Sequence, residues 1–294
     1  MSVPRFAAYF AVAVGLTVPA GRAAAQENDW VPGKRLTESS TRVLGAIKRV
    51  TETTKYGYVD GICFLSAFLH KGQDVKFTRD FEAGVKYAVV GGGDDGTKDL
   101  DVYILDADGN EVAKDELADN IPVVEFTPRR AGRYTIKVVM FDSGSKGGFG
   151  TVGVLKVGGF EVPVRNQATA LANLVTEANK VDRQVKEQVL FGSGNNQWAV
   201  YGSIIPSGSD LTIENITPGA GRQVWVTGGD TTVEDIDLFL SDAAGRLLMK
   251  DEDDDARPLL DYRTKPDQRY SIRIKNVRSR GASLVLVATL TVGP

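Results

Sequence analysis

The pattern of apolar and polar residues predicts two helices, each followed by a series of short strands. Between 171 and 189, apolar residues recur every three or four positions and charged residues occupy the other face, which predicts an amphipathic helix of about 20 residues. A weaker apolar stripe predicts an earlier helix from Ser39 to about Thr54. Both polar faces mix positive and negative charges and lack the basic excess that anionic lipid favours. We therefore expect each helix to pack on its own domain or to join two domains.

After the first helix, the spacing changes to short segments rich in Val, Ile, Phe and Tyr, separated by Gly, Asp, Asn and Pro. Seven of these segments are predicted strands: Phe64 to Leu69, Asp74 to Phe77, Tyr87 to Val90, Leu100 to Leu105, Val123 to Phe126, Tyr134 to Val139 and Val152 to Val157. Such a series with turn residues between its members is typical of an antiparallel sandwich. Residues 106–109 predict a tight hairpin turn, with Gly109 at positive φ. The glycine runs 91–93 and 147–148 are also predicted as turns, because neither matches a phosphate loop.

The strand-rich part of the chain occurs twice. An offset of 136 positions aligns 91–136 with 227–272 without a gap, and 16 of the 46 aligned pairs are identical. The identical pairs include Gly92/Gly228, Asp94/Asp230, Asp99/Asp235, Asp101/Asp237, Asp106/Asp242, Gly109/Gly245 and Asp115/Asp251. The match predicts a duplicated unit that covers at least 65–139 and 201–275.

The beginning of the chain has the features of an export signal. Arg5 precedes an apolar stretch over 6–18, and the alanines at 23–25 form a small-residue cleavage site. The apolar stretch is too short to cross a bilayer, so we expect a secreted or periplasmic protein with no transmembrane segment after cleavage. The predicted organisation is a signal peptide over 1–25, an N-terminal segment with a helix over 26–57, a first β-sandwich domain over 58–163, a connecting helix over 164–192 and a second β-sandwich domain over 193–294.

Charge and composition exclude several classes of function. The formal net charge is −3, and loss of Arg5 and Arg22 with the signal peptide makes it −5, which disfavours nucleic-acid binding. The single cysteine, Cys63, lies in an apolar run and is predicted to be a buried thiol. The single histidine, His70, is expected in an exposed turn, so neither a histidine-based triad nor a multi-histidine zinc site is available.

One run of residues carries a family resemblance. The sequence DLDVYILDADG at 99–109, followed by AGRYTIKV at 131–138, resembles the bacterial pre-peptidase C-terminal domain family. A more diverged match is DIDLFLSDAAG at 235–245 with RYSI at 269–272, where 266–268 depart from the family's small residue and glycine. The resemblance implies a jelly-roll-like sandwich that serves as an accessory module of secreted hydrolases and in some members binds Ca²⁺ or an insoluble polymer such as collagen or polysaccharide.

The aspartates of the duplicated hairpins are the candidate metal ligands. The hairpin folds position 99 back towards about position 116, so carboxylates should gather at one end, and Ca²⁺ takes six to eight oxygen ligands in flexible geometry. The candidates are Asp99, Asp101 and Asp115 in the first copy and Asp235, Asp237 and Asp251 in the second. The alternative is that these aspartates cap turns in solvent, with Lys114 and Lys250 neutralising them.

Two classes of function remain open, together with a purely structural one. The favoured class is an exported, non-catalytic binding or accessory module that contacts a surface polymer or a protein partner. Trp198, Tyr201 and Trp225 would form a stacking platform for such a ligand if exposed, and are otherwise expected to fill a core around the helix. The alternative class is a secreted hydrolase that uses paired carboxylates. A structural spacer within a secreted assembly would have no ligand.

Overall fold

The computed structural model describes residues 31–144, 146–192 and 197–293, so the predicted signal peptide lies outside the described residues. The fold is mainly β, with the helices α1 (Val31–Thr53) and α2 (Val164–Gln184). The strands are β1 (Tyr56–Tyr58), β2 (Gly61–Leu69), β3 (Asp74–Phe81), β4 (Tyr87–Gly93), β5 (Thr97–Leu105), β6 (Glu111–Asp115), β7 (Val123–Phe126), β8 (Gly132–Ser143), β9 (Gly148–Val157), β10 (Val189–Phe191), β11 (Val200–Ile205), β12 (Asp210–Ile216), β13 (Gly221–Gly229), β14 (Val233–Asp242), β15 (Leu247–Asp251), β16 (Leu259–Thr264), β17 (Tyr270–Ser279) and β18 (Ser283–Val292). Neither helix is both long and apolar enough to cross a membrane.

The strands form three antiparallel sheets. A 10-stranded sheet has the order β16-β13-β18-β11-β2-β9-β4-β7, with β1 and β10 paired to β9 and β18. Two 4-stranded sheets have the orders β3-β8-β5-β6 and β12-β17-β14-β15. The two halves of the chain therefore repeat one strand order, and β2 pairs with β11 to join them within the large sheet. The prediction of a mainly antiparallel β fold is confirmed, and the division into two separate domains stays a prediction.

The strand register is also repeated. Val102 pairs with Asp115 in the first half, and Leu238 pairs with Asp251 in the second, at the predicted offset of 136. Each of these hairpins has a register shift next to the turn, between Ile104 and Leu105 in the first half and between Leu240 and Ser241 in the second. The duplicated sequence therefore folds with duplicated pairing, including its irregularity.

The helices pack against the large sheet at glycines that the two halves share. A Cβ atom at Gly92 would lie 2.8 Å from the carbonyl oxygen of Ser39 in α1, and one at Gly228 would lie 2.3 Å from that of Ala170 in α2. The prediction of a turn over 91–93 is wrong, because these glycines form the buried end of β4. Their missing side chains let α1 approach the sheet closely. Of the second run, Gly147 does lie in a turn, with φ 73°, and Gly148 begins β9.

The second helix ends before the predicted position. The periodicity extends to 189, but α2 ends at Gln184 and Val185 is extended. Val189 pairs instead with Val292 as part of the short strand β10. The apolar spacing of this segment is compatible with either a helix or a strand. The strand forms because β18 has an unpaired edge here, and pairing with it buries both backbone and side chains.

Several single-residue predictions are confirmed. Cys63 is fully buried, and burial raises the pKa of its thiol to about 12. His70 is exposed and follows β2. Trp198 and Trp225 are 4% and 1% exposed, so they belong to the core and form no stacking platform. The expected position around the helix is wrong for Trp225, whose side chain lies in the core between the large sheet and the second 4-stranded sheet.

Candidate functional site

The last aspartate of each hairpin holds the following segment in place. Asp115 accepts hydrogen bonds from the backbone amides of Leu117 (3.1 Å) and Val123 (2.8 Å). Its counterpart Asp251 accepts from the amides of Asp253 (3.2 Å) and Leu259 (2.9 Å). One oxygen of each carboxylate therefore holds the loop that follows the hairpin, and the other binds the first residue of the neighbouring edge strand.

A second duplicated aspartate performs similar work at the loop between β4 and β5. Asp94 is fully buried and accepts from the amides of Gly96 (2.9 Å) and Phe149 (3.1 Å). Asp230 is 4% exposed and accepts from the amide of Leu284 at 2.9 Å. These carboxylates replace water around backbone amides that the sheets leave unpaired.

The hairpin turns have the predicted form. Gly109 and Gly245 have φ values of 83° and 76°, as a tight turn requires. Asp106 and Asp242 accept amide hydrogen bonds within these turns, and the amide of Asn110 holds the pKa of Asp106 below its usual value. The turn aspartates thus stabilise the hairpins themselves.

The predicted calcium ligands of the first half lie on two faces of the hairpin. Asp115 lies opposite Val102, whose side chain is in the core, whereas Asp101 lies on the outer face and is 4% exposed. The hydroxyl of Tyr103 donates to Glu116 at 2.6 Å and to Asp101 at 3.3 Å. Burial raises the pKa of Asp101, and neighbouring carboxylates act in the same direction.

The neighbouring residue Asp99 has a buried Oδ1 atom with no hydrogen-bond partner among the described residues, and Asp235 repeats this arrangement. Burial raises the pKa of both carboxyls. Asp237 differs from its counterpart in the first half, because Lys275 Nζ lies 3.5 Å from its Oδ2. Val139 stands at the position of Lys275 in the first half, so Asp101 lacks this cation.

The structure therefore divides the six candidates. The outer face carries Asp99, Asp101, Asp235 and Asp237, and the inner side carries Asp115 and Asp251, whose oxygens accept backbone amides. Within the described ranges, no group of three or more His, Cys, Asp or Glu side chains is arranged to hold a metal ion. Calcium binding stays a prediction.

Cations cover the aromatic side chains of the two outer faces. Lys137 Nζ lies 5.5 Å from the ring centre of Tyr103, and Lys114 Nζ lies 6.0 Å from it. The guanidinium of Arg273 lies 3.8 Å from the ring centre of Phe239, which is 6% exposed. These contacts occupy the surfaces that a stacked sugar would need.

The open edge of the first half forms a cleft that sequence reasoning missed. β6 ends one 4-stranded sheet and β7 ends the large sheet, so both are edge strands on the same side of the molecule. Between them lies a cleft of about 790 Å³, floored by Phe126 and Tyr134. We call it the edge cleft; it is lined by residues of 106–108, 111–113 and 125–134.

The second half has a smaller cleft, of about 460 Å³, at the counterparts of four edge-cleft residues, Asp242, Ala243, Arg269 and Tyr270, but Leu248 and Met249 do not line it. Leu248 and Met249 pack against the core between the large sheet and the second 4-stranded sheet, which we call the second core. They occupy the positions where the first half has Val112 and Ala113. Val112 is 48% exposed. The edge cleft therefore extends along strand positions at which two smaller residues replace two larger ones. The difference in side-chain size between the aligned copies at these two positions is the sequence signal that could have indicated the edge cleft.

The cleft carries uncommitted positive charge. Arg129 and Arg130 are exposed and form no ion pair with any described residue. Arg133 lies 3.8 Å from Asp80, with both side chains more than 70% exposed, where such a pair contributes little.

The acidic residues of the cleft are mostly engaged. Glu111 pairs with Lys114 at 3.2 Å, and Glu125 pairs with Lys86 at 2.9 Å. Glu125 also accepts a hydrogen bond from a tyrosine hydroxyl at 2.7 Å. Asp106 and Asp108 have no counter-charge among the described residues, and the carboxylate of Asp106 accepts backbone amides within the hairpin turn. The charges that remain free in the cleft are therefore mainly those of arginines.

Comparison with known proteins gives distant structural likenesses only. No protein family and no curated protein matches the sequence. A periplasmic inhibitor of g-type lysozyme from Aeromonas hydrophila is 14% identical, with 32% of this chain and 87% of that chain covered and a TM-score of 0.26. Tandem CBM51 modules of a family 98 glycoside hydrolase from Streptococcus pneumoniae are 12% identical, with 78% and 83% covered and a TM-score of 0.24. At these TM-scores the likenesses support no conclusion about this chain.

Proposed function

We propose that this chain is an exported, non-catalytic binding module that contacts a protein or polymer partner through the edge cleft. The observation that supports this is the difference between its two halves. In matching strands, one half fills its open edge with Leu248 and Met249, and the other leaves a cleft beside Val112 and Ala113. A concave surface with an apolar floor and a few polar groups is typical of a ligand site.

The placement of the carboxylates favours binding over catalysis. A carboxylate-based hydrolase needs one acid able to donate a proton and another free to act as base or nucleophile, on either side of the substrate. In the edge cleft, Glu111 and Glu125 each pair with a lysine, so neither carboxylate stands free to act on a substrate. Of the duplicated aspartates, Asp106 lines the cleft but accepts backbone amides of the hairpin turn, and the others accept amides elsewhere or lie on the outer faces.

The resemblance to pre-peptidase C-terminal domains fits this role, since such domains accompany secreted hydrolases as accessory modules. Export through the predicted signal peptide would place the cleft outside the cytoplasm. Stabilisation by calcium at the outer-face aspartates is a further element of the proposal, and the unpartnered Oδ1 atoms of Asp99 and Asp235 support it.

The test compares two valine substitutions of similar exposure. Val112→Glu places a charge at the mouth of the edge cleft, whereas Val157→Glu does so on β9, where the valine is 42% exposed. The mature protein and both variants would be sedimented with collagen, chitin, cellulose and peptidoglycan, and screened against a displayed peptide library.

We expect at least one ligand whose binding is lost in Val112→Glu and kept in Val157→Glu. Equal binding by both variants would contradict the assignment of the cleft. Turnover of a polysaccharide that disappears in Glu125→Gln would contradict the non-catalytic role.

A further inference from the structure

We propose that the occupant of the edge cleft is an extended acidic peptide segment that lies along β6, with one apolar side chain inside the cleft. This inference rests on the proposed function and names the partner of the same site. Three independent features of the cleft support it: a free strand edge, a cavity with an apolar floor and arginines without strong ion pairs.

The first feature is the backbone of β6. This strand pairs with β5 on one side, and no described strand pairs with its other side. An edge strand presents N–H and C=O groups that an added strand can bind. The exposed side chain of Val112 marks this edge as unusually apolar for one that only meets water.

The second feature is the space above the aromatic floor. Ala113 pairs with Ile104, so its side chain points to the interior, and Met249 pairs with Leu240 in the same way. Met249 reaches the second core, whereas the methyl group of Ala113 leaves the equivalent space open. An unbranched or γ-branched apolar side chain from a partner would fill the place that Met249 fills in the second half.

The third feature is charge. Arg129 and Arg130 lie at the cleft without ion pairs in the described parts of the chain, and the exposed pair of Arg133 with Asp80 is weak. Guanidinium groups bind carboxylates through two parallel hydrogen bonds, so glutamate or aspartate side chains flanking the apolar residue would meet them. The opposing charges without an ion pair are Asp106, whose carboxylate accepts amides of the hairpin turn, and Asp108, and both lie at the other wall of the cleft.

The test uses synthetic octapeptides in which leucine alternates with glutamate, glutamine or lysine, measured by fluorescence anisotropy with the full mature chain. We expect the glutamate peptide to bind most tightly and to weaken as salt is added. Arg129→Gln and Arg130→Gln should each reduce its affinity about tenfold. Lys265→Gln, at the position equivalent to Arg129 in the second half, should leave the affinity within about twofold.

A second measurement tests strand addition. N-methylation of alternate peptide amides should abolish binding in one of the two registers, because only one set of amides faces β6. Hydrogen exchange at 111–115 should slow when the peptide is bound.

Other outcomes would overturn the inference. Equal affinity for the glutamate and glutamine peptides, or retention of binding in both arginine variants, would show that an acidic strand is not the occupant. Binding of polygalacturonate in place of every peptide would assign the cleft to an anionic polysaccharide, and loss of that binding in Val112→Glu would leave the proposed function standing. A cleft at which Val112→Glu changes no binding would remove both.

Discussion

The replacement of Asp115 by alanine gives the sharpest test of how the duplicated aspartates act. The carboxylate accepts the backbone amides of Leu117 and Val123, so Asp115→Ala leaves both donors without their partner. Asp251→Ala removes the equivalent pair from the second half. If these aspartates serve the fold, both substitutions destabilise the protein and neither depends on calcium.

The two sites differ in exposure, and the expected free energies differ accordingly. A hydrogen bond to a charged group contributes about 1.5–3 kcal/mol, and an exposed donor recovers much of this from water. The amide of Val123 is half-buried and that of Leu117 is exposed, so Asp115→Ala should cost about 2–3 kcal/mol. Both partners of Asp251 are exposed, so Asp251→Ala should cost about 1 kcal/mol.

The assay is chemical unfolding in EDTA and in millimolar calcium. We expect the same loss of unfolding free energy for each variant in both conditions. A calcium site would instead add about 2.7 kcal/mol to the wild type at a hundredfold excess over its dissociation constant, and the variant would lose that gain. A cost below about 0.5 kcal/mol in EDTA, or one that appears only with calcium, would refute the structural role of Asp115.

Three further predictions concern the core and the outer face. Gly228→Ala should lower the free energy of unfolding by about 1–3 kcal/mol, because the added methyl group would lie 2.3 Å from helix backbone. Gly92→Ala should lower it by less, because the corresponding distance is 2.8 Å. Gly219→Ala, with open space around the added methyl group, is the control in the same thermal melts. Asp101→Asn should stabilise the protein at neutral pH in EDTA, because the raised pKa of Asp101 means that its ionised form disfavours the fold. The gain in unfolding free energy should vanish as the pH falls through that pKa. A gain that grows on acidification would contradict this pH dependence. Cys63 should resist alkylation until the protein unfolds, since burial raises its pKa to about 12. The measurement is mass spectrometry after iodoacetamide treatment at increasing urea concentration. Labelling below the urea concentration at which the protein unfolds would show that the thiol is accessible.

The positions of the strands could be predicted from the sequence better than the face of the sheet on which each side chain lies. The strands around Leu100 and Tyr134 lie where their alternation indicated, because one side of each meets a core. The sequence could not show whether Asp115 and Asp101 lie on the same face of the hairpin, because this depends on the register. A shift of one residue in the register moves a side chain to the opposite face. The calcium hypothesis combined residues that the register separates.

Other features depend on contacts between distant parts of the chain. Internal repetition indicated a duplicated unit, but nothing in it predicted that Leu65 of β2 would pair with Tyr201 of β11 and join the halves in one sheet. The role of Gly92 required knowledge of where α1 lies. The edge cleft arises from a difference between copies, at Val112 and Ala113, whereas the sequence comparison concentrated on their identities.

If the first half leaves its sandwich edge open for a partner, filling the edge cleft should raise stability and remove binding. The double variant Val112→Leu with Ala113→Met transfers the residues of the second half to the first and should fill the cleft with the chain's own side chains. At about 0.8 kcal/mol for each buried methylene, the variant should be roughly 1–3 kcal/mol more stable than the wild type.

The most direct measurement is therefore unfolding free energy and glutamate-peptide affinity on the same double variant. From the proposal of an open binding cleft, we expect stability to rise while peptide affinity falls by at least about tenfold, because the site is left open at the expense of the core. Unchanged binding in a variant that folds and is more stable would contradict it.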